Sequence, residues 1–191
     1  MKRMRIYFSV MLILFLLTPC YSMETKEDTS GALRPIQLED MLAWKNIRSA
    51  SVPNNGIWFA YNLSPNKGDS EVIIRQTKGD KEYKFKAGMG SGKISFSEDS
   101  KWVVFTVNPF EKESKKLKKQ KKKTFRKLAL VNLATGKKRV FEKVQSFSFS
   151  NENPNWLAMH KYQSEGNSKG KDKWKGSDLI LHELSTGNEF N

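Results

Sequence analysis

A tryptophan-centred phrase occurs three times in this chain, and it limits the fold more than any other feature. Each copy places a polar turn before a tryptophan and a short apolar stretch, and the copies occupy residues 51–61, 96–105 and 149–159. Trp58, Trp102 and Trp156 are therefore separated by 44 and 54 residues. Strand-forming repeats of about 40 to 50 residues are typical of β-propeller blades. The phrase predicts an all-β chain built from repeated sheets.

Alternation of apolar and polar residues fills the rest of each repeat. It predicts strands at 57–61, 71–75, 82–86, 94–96, 102–107, 128–132, 139–141, 147–149, 156–159, 178–182 and from 189 onward. The predicted fold is a partial β-propeller over 49–191, with about three four-stranded blades at 49–87, 88–143 and 144–191. The chain ends inside the last predicted strand. A generic β-sandwich with turns that match by chance is the alternative.

Two hairpins in the second and third repeats have nearly the same sequence. Residues 132–136 read Asn-Leu-Ala-Thr-Gly, and residues 183–187 read Glu-Leu-Ser-Thr-Gly. Glycine adopts the positive φ that tight hairpins require. Both segments are therefore predicted to close the outer half of a blade.

The N-terminus has the pattern of an export signal. Lys2, Arg3 and Arg5 precede a nearly unbroken apolar run at 7–17, which is short for a membrane span. A signal peptide over 1–22, cleaved after Ser22, places the mature protein in the periplasm or outside the cell. Two alternatives stay open: a lipoprotein attached to the membrane through Cys20, and an uncleaved anchor.

The segment at 23–48 follows the signal peptide and changes character halfway. Residues 23–35 are polar, whereas apolar side chains recur every three or four positions across 36–47. That spacing predicts a short amphipathic helix packed on the sheets. Trp44 is expected to anchor this helix.

Cysteine and histidine are too scarce for most sites that depend on them. Cys20 is the only cysteine and lies in the targeting segment, so a disulfide framework and a thiolate metal site are excluded from the mature chain. His160 and His182 are the only histidines, and both fall in predicted strands. They are interpreted as structural histidines with satisfied hydrogen bonds. No Gly-x-Ser-x-Gly elbow is present either, so no catalytic, cofactor-binding or metal-binding residue is assigned.

The formal net charge of +14 comes mostly from one insertion. Residues 112–127 carry +9, the targeting segment carries +3, and the remainder of the chain carries only +2. This lysine-rich insertion, bounded at 108–127, could bind an anionic surface through counterion release. It contains one aromatic residue and no nucleic-acid module, which favours a solvated loop or frayed helix. The loops at 62–70 and 163–176 are predicted to occupy the equivalent place in the other repeats.

A glycine-rich segment resembles a phosphate-binding loop in composition only. Residues 87–93 read Ala-Gly-Met-Gly-Ser-Gly-Lys, but Ile94 stands where such a loop has the hydroxyl that holds magnesium. The residues that follow predict a strand, so no helix N-terminus would face a phosphate. A turn between two blades is the predicted structure.

The repeated tryptophans are predicted to pack between blades, because they share one position in each repeat. Stacking on a sugar or a peptide is the alternative for such side chains. Trp174 lies in a polar loop and is the one tryptophan expected to make an exposed contact.

Residues 36–191 resemble the N-terminal β-propeller region of secreted bacterial peptidases of the prolyl oligopeptidase family, of the dipeptidyl- and acylaminoacyl-peptidase types. The resemblance is carried by the segment 36–47, the first repeat, the phrase Phe-Ser-Glu-Asp-Ser-Lys-Trp-Val-Val-Phe at 96–105, and the lysine-rich insertion. It implies a propeller that restricts peptide access to a C-terminal α/β-hydrolase domain. Nothing in this chain matches that catalytic domain, so none of its residues is assigned here.

The expected function is that of a non-catalytic propeller fragment from such a peptidase, truncated before the hydrolase domain. Two alternatives remain: a stand-alone exported binding protein that associates through its open blade edges, and a basic anion-binding protein acting through 112–127. Peptides are the expected partners of the complete peptidase, nucleic acid is not expected, and membrane contact requires a lipidated Cys20 or an uncleaved signal.

Overall fold

The computed structural model describes residues 34–163 and 177–191. The predicted signal peptide at 1–22, most of the polar segment that follows it, and Trp174 lie outside the described residues. The elements below all belong to one unit, Gln37–Asn191.

Twelve strands form three antiparallel sheets of four strands each. Sheet 1 contains β1 (Lys45–Ser51), β2 (Trp58–Pro65), β3 (Asp69–Gln76) and β4 (Glu82–Met89). Sheet 2 contains β5 (Ile94–Phe96), β6 (Trp102–Val107), β7 (Lys127–Asn132) and β8 (Lys138–Phe141). Sheet 3 contains β9 (Val144–Phe149), β10 (Trp156–Lys161), β11 (Leu179–Glu183) and β12 (Glu189–Phe190). The predicted all-β fold of three four-stranded sheets is confirmed.

Each sheet is a simple meander in which every strand pairs with the strand before it. Opposite residues repeat their relationships from sheet to sheet: Asn62 lies across from Val72, Thr106 across from Leu128, and His160 across from Leu179. Because side chains alternate between the two faces of a strand, this register defines equivalent positions in all three sheets.

Sheets 1 and 2 bury one apolar cluster between them. Trp58, Ala60 and Ile74 from sheet 1 meet Val103 and Phe105 from sheet 2. The ring of Tyr83 stacks on Trp58 with centroids 5.8 Å apart. The burial of these side chains is the main source of cohesion between the two sheets, because apolar area removed from water stabilises by about 25 cal/mol per Å².

Sheets 2 and 3 bury a second cluster on the opposite face of sheet 2. Val104 and Leu130 from sheet 2 pack with Phe147, Leu157 and Met159 from sheet 3. Sheet 2 is therefore covered on both faces, which explains why Val103, Val104, Leu130 and Val131 are all buried although they point in opposite directions.

The two Thr-Gly hairpins receive contacts from the outer strand of the preceding sheet. In the first hairpin, Gly136 has a φ of 71° and lies against the ring of Tyr83, whose hydroxyl donates to the carbonyl of Leu133 at 3.1 Å. In the second, Gly187 has a φ of 80°, and its carbonyl accepts from Arg139 at 3.1 Å. The predicted positive φ is confirmed in both turns, and each turn also joins two sheets.

The amphipathic helix predicted for 36–47 is wrong in length and in packing. Helix α1 is Leu38–Ala43, six residues with no buried side chain, and it ends where Trp44 becomes extended with a ψ of 140°. Trp44 is 53% exposed and does not act as a core anchor. The next residues form β1 because they complete the edge of sheet 1 beside β2. An edge strand with polar side chains carries little of the alternation that predicts a strand.

The loop predicted at 62–70 is also wrong, because β2 and β3 extend through most of it. Only 66–68 lie between the strands. Asn62 and Ser70 are buried, and Asn62 donates to the Ser70 hydroxyl at 3.5 Å. A run of polar residues predicts a loop from the sequence alone. Here the hydrogen-bond partners that allow these residues to be buried lie on the opposite strand of the hairpin.

The lysine-rich insertion contains helix α2, Glu111–Lys119, between β6 and β7. The backbone N–H of Glu111 donates to the carboxylate of Asp69 at 2.8 Å, so β3 of sheet 1 caps this helix. The side chains of Glu111 and Lys115 pair at 2.6 Å, and this pairing lowers the pKa of Glu111. The insertion is thus partly helical and attached to sheet 1 at its start.

Candidate functional site

The three repeat tryptophans occupy equivalent positions on the second strand of their sheets. Trp58 is 6% exposed within the first cluster, and Trp102 packs against the second cluster. Each of these side chains faces the following sheet. The predicted packing role therefore agrees with the environment of both residues.

Trp156 points in the same direction from sheet 3, where the described residues provide no fourth sheet. Its ring contacts Phe190 with centroids 5.7 Å apart. Leu179, Leu181 and Phe190 share this face and are 53%, 40% and 51% exposed. We call this surface the Trp156 face.

Sheet 1 presents a second uncovered surface on the side away from sheet 2. Phe59 and Tyr61 stack there with centroids 5.7 Å apart, and Ile47 beside them is 65% exposed. The equivalent side chains of sheet 2, Val103 and Phe105, are fully buried against sheet 1. We call this surface the Phe59 face. Within the chain, side chains at these repeat positions pack against the side of the preceding sheet that corresponds to the Trp156 face.

One repeat position pairs two polar side chains near the ends of the second and third strands. In sheet 1 the pair is Asn62 and Ser70. In sheet 3 the pair is His160 and Ser177, and the Nε2 of His160 and the hydroxyl of Ser177 are hydrogen-bonded. The serine–histidine contact is therefore the sheet 3 version of a polar pair that the repeat also has in sheet 1, and a catalytic role is not needed to explain it. The predicted structural role of His160 agrees with this arrangement.

The environment of His182 differs from the satisfied histidine expected from the sequence. The side chain is 2% exposed, and Nδ1 has no hydrogen-bond partner among the described residues. Its ring meets the edge of Phe141, and Nδ1 lies 3.9 Å from a carboxylate oxygen of Glu189. Burial, and next the charge of Arg139, lower the pKa of His182, while Glu189 opposes them. The neutral form is therefore favoured.

Residues 87–89 of the glycine-rich segment belong to β4, so only 90–93 form the predicted connection between sheets 1 and 2, which leads into a strand rather than a helix. Gly88 has a φ of 72°, and a Cβ there would lie 2.0 Å from the carbonyl oxygen of Asn108. A Cβ on Gly92 would lie 2.7 Å from Thr106. These glycines permit a close approach of two chain segments, so a phosphate is not needed to explain them.

Two clefts border the sheets. One has a volume of about 320 Å³ and lies between sheet 1 and the start of α2, where Arg48, Lys67 and Glu111 line it together. The other has a volume of about 240 Å³ and lies between sheets 2 and 3, where its charged lining is Lys93, Arg126 and Lys127. The second cleft favours anions more strongly than the first, because all three charged side chains in its lining are positive.

Arg126 is a residue that the sequence analysis missed as a separate feature. It stands two positions before Leu128, just as Ser70 precedes Val72 and Ser177 precedes Leu179. The lysine-rich composition around it concealed this alignment. Aligning the three repeats on their third strands would have singled it out.

Within 34–163 and 177–191, no cluster of three His, Cys, Asp or Glu side chains could hold a metal ion. In the same ranges, no helix is long and apolar enough to cross a bilayer.

No family model and no curated protein matches the chain. Among solved structures, it is similar to the β-propeller domain of the trilobed protease from Pyrococcus furiosus, described as having an open velcro topology. The TM-score is 0.52 and the identity 13%, over 78% of this chain and 42% of that one. It is also similar to the Pyrococcus horikoshii acylaminoacyl peptidase, with a TM-score of 0.49 and 10% identity over 78% of this chain and 24% of that one.

At this level of identity the likeness establishes the fold alone. The chain spans less than half the length of the structures it matches. The resemblance to peptidase propellers that the residues indicated is confirmed as a likeness of fold, and the described sheets are those of a β-propeller.

Proposed function

We propose that this chain is the non-catalytic N-terminal propeller part of an exported prolyl oligopeptidase-like serine peptidase, where it restricts peptide access to an α/β-hydrolase domain. One observation carries the proposal: three successive sheets stack face to face, and among the described residues each end face of the stack carries exposed apolar side chains, Ile47 on the Phe59 face and Leu181 on the Trp156 face. The likeness in fold to the trilobed protease propeller supports the same interpretation.

In this proposal the chain contributes stacked sheets that enclose the substrate path and loops that border its entrance. The rigid parts are the two inter-sheet clusters, and the loops joining second and third strands lie at one topological position in every sheet. Loops positioned on a rigid scaffold are suited to selecting what passes them. The nucleophile, base and orienting acid would come from the hydrolase domain that the family resemblance implies.

Isolating the native protein tests this function directly. An antibody raised against 49–191 would be used to immunopurify the protein from the envelope and medium of its source cells, followed by labelling with a fluorophosphonate probe for serine hydrolases. We expect the recognised polypeptide, or a partner purified with it, to carry the label. A native species consisting of this chain alone, no larger than 22.0 kDa, without a labelled partner would contradict the proposal.

Export belongs to the same proposal and has a separate test. N-terminal sequencing of the native protein is expected to find a mature chain beginning at Met23. Metabolic labelling with a fatty-acid analogue distinguishes the lipoprotein alternative, because only attachment through Cys20 would incorporate it. Recovery of the intact protein in the cytosol would overturn export.

The exposed end faces favour a second function, that of a stand-alone exported binding protein assembled from copies of itself. The Trp156 face and the Phe59 face correspond to the two sides of the interfaces already formed within the chain. A second copy could therefore supply what each face lacks, and two copies would form a larger ring or stack. A folded native species of defined stoichiometry containing only copies of this chain, each no larger than 22.0 kDa, would favour this function over the first.

A further inference from the structure

We propose that the cleft between sheets 2 and 3 is a binding site for a small oxyanion, a carboxylate or phosphate group. The cleft has a volume of about 240 Å³ and is lined by side chains from three places: the connection before β5, the facing ends of β6 and β7, and the start of β9. This proposal does not depend on the peptidase assignment. It concerns a concave site distinct from the exposed lysines of α2.

The lining has an excess of positive charge. Lys93, Arg126 and Lys127 border the cleft, whose lining contains no acidic side chain. Lys127 is partly neutralised by Glu142, which lies outside the lining at 3.0 Å. Two cations, Lys93 and Arg126, are left to act on a ligand. Arginine and lysine form charge-assisted hydrogen bonds with oxyanions, which are roughly twice as strong as neutral ones.

Hydroxyl groups add neutral donors to the same cleft. Ser91 and Thr106 belong to the lining, and Thr106 lies on the face of sheet 2 that meets sheet 3. A phosphate or carboxylate needs several donors distributed around its oxygens, and hydroxyls can rotate to meet them. The combination of two cations with two hydroxyls suits an oxyanion better than an apolar ligand or a cation.

Comparison of the three repeats shows that an arginine at this position is specific to sheet 2. The position of Arg126, two residues before Leu128, corresponds to Ser70 before Val72 in sheet 1 and to Ser177 before Leu179 in sheet 3. Ser70 there makes a closed contact, because its hydroxyl donates to the carbonyl of Gly88 at 2.7 Å. Arg126 occupies this position in sheet 2 beside an open cleft. Packing therefore accounts for the serine but not for the arginine.

Main-chain hydrogen bonds fix the backbone that carries the two cations. The carbonyl of Lys93 accepts from the backbone N–H of Thr106 at 3.1 Å, and that of Arg126 accepts from Val144 at 3.0 Å. The ammonium of Lys93 lies 5.0 Å from the ring centroid of Phe147, a cation–π contact with a residue of the same lining. Binding would thus require little ordering of the backbone.

The neighbouring cleft provides a contrast within the same chain. Between sheet 1 and the start of α2, Arg48 and Lys67 share the lining with Glu111. A carboxylate in the lining repels an incoming anion, so only the second cleft is expected to bind one.

Titration calorimetry on the full chain tests the site, with inorganic phosphate and succinate as the two probes at constant ionic strength. We expect saturable binding of at least one probe, and a loss of about tenfold or more in affinity in the double variant K93Q/R126Q, because each lost contact is charge-assisted. Preference for phosphate or for succinate decides which oxyanion the site accepts. A single variant, R126K, is expected to retain part of the affinity because it keeps the charge.

The matched control is K118Q/K119Q, which removes the same charge from α2 outside the cleft. It is expected to bind both probes as the unchanged chain does. Equal weakening by the two double variants would assign binding to the lysine-rich surface and overturn the proposal, as would undiminished binding by K93Q/R126Q. Circular dichroism and thermal melting of each variant establish that a loss of binding does not come from unfolding.

Discussion

His182 places an unpaired nitrogen inside the contact between sheets 2 and 3. The charged groups around it are Arg139 and Glu189, which pair with each other at 2.6 Å, and Phe141 closes the remaining side. Glu189 is therefore already engaged when the histidine gains a proton. A buried imidazolium without a partner of its own destabilises the folded chain.

We predict that acidification below about pH 6.5 weakens the fold through His182. The pKa of His182 is lowered in the folded chain from 6.5, so the unfolded chain binds this proton first as the pH falls. The free energy of unfolding then decreases from the unfolded pKa down to the folded pKa, by at most about 1.4 kcal/mol per pH unit. Above about pH 8 this group has almost no effect on stability, because the histidine is then neutral in both states.

Urea titrations at a series of pH values would measure this dependence, with H182L as the comparison. The variant should lose most of the slope between about pH 6.5 and the folded pKa of His182, because its side chain does not titrate. Identical pH profiles for the two proteins would refute the assignment to His182. Asp99, whose pKa is lowered because hydrogen bonds from Ser97 and Lys101 outweigh its burial, acts only at more acidic pH and is common to both.

Gly88 and Gly90 form a matched pair for testing the close approach between sheets. Their φ values are 72° and 75°, but only at Gly88 would a Cβ collide with backbone, 2.0 Å from the carbonyl oxygen of Asn108. We predict that G90A costs about 1 kcal/mol through backbone strain alone. G88A should cost about 1 to 3 kcal/mol more because the clash adds to it. Equal losses in denaturant unfolding would mean that the segments separate readily.

At the level of elements, β6 and β1 show what the sequence could and could not predict. Residues 102–107 follow a polar turn and are apolar on both sides, so the strand was predicted with its observed bounds. β1 is mostly exposed along one edge, and its residues do not alternate. Its pairing depends on β2, which no local pattern in 45–51 reveals.

The candidate cleft was beyond sequence reasoning for a related reason. Lys93 and Arg126 are far apart in sequence; the pairing of β5, β6 and β7 brings them together, and the stacking of sheet 3 on sheet 2 closes the cavity beside them. The tryptophans were predictable because each repeat carries its own copy. The cleft, in contrast, lies at the interface between sheets 2 and 3, and its set of cations is not repeated in the other interface.

Helix α2 depends on a cap from another sheet, which leads to a prediction. D69A removes the acceptor for the Glu111 N–H and should destabilise the helix by about 1 kcal/mol, since Phe110 offers no side-chain cap of its own. Hydrogen exchange followed by mass spectrometry should show faster exchange across 111–119.

D80A is the control for this variant, because Asp80 is exposed in the hairpin at the other end of β3. Exchange across 111–119 in D80A should match that of the unchanged chain. Unaltered exchange in D69A would show that the helix does not depend on this cap.

At the scale of the whole molecule, each sheet is stabilised by its neighbours. Sheet 2 has two covered faces, whereas sheets 1 and 3 have one each among the described residues. In such a linear stack, stability is a sum of unit and nearest-neighbour contributions. Local opening should therefore be easiest in the two outer sheets.

We predict that the isolated chain self-associates through its end faces. L181K places a charge on the Trp156 face, where Leu181 is 40% exposed, and should shift the chain toward monomer in size-exclusion chromatography with light scattering. The reason is that burying an unpaired lysine opposes association. V140K adds the same charge on β8 of sheet 2, where Val140 is 42% exposed, and should leave the distribution unchanged. Equal behaviour of the two variants would exclude the Trp156 face as the contact.

The meander within each sheet has a consequence for synthesis of the chain. Because every strand pairs only with its sequence neighbours, sheet 1 can form hydrogen bonds before sheet 2 has left the ribosome. The side of sheet 1 that carries Trp58 is not covered until Val103 and Phe105 emerge, about 45 residues later. At translation rates of about 5 to 20 residues per second, this apolar side stays open for roughly 2 to 9 s. The nascent chain then offers a binding surface to chaperones that the finished stack no longer has.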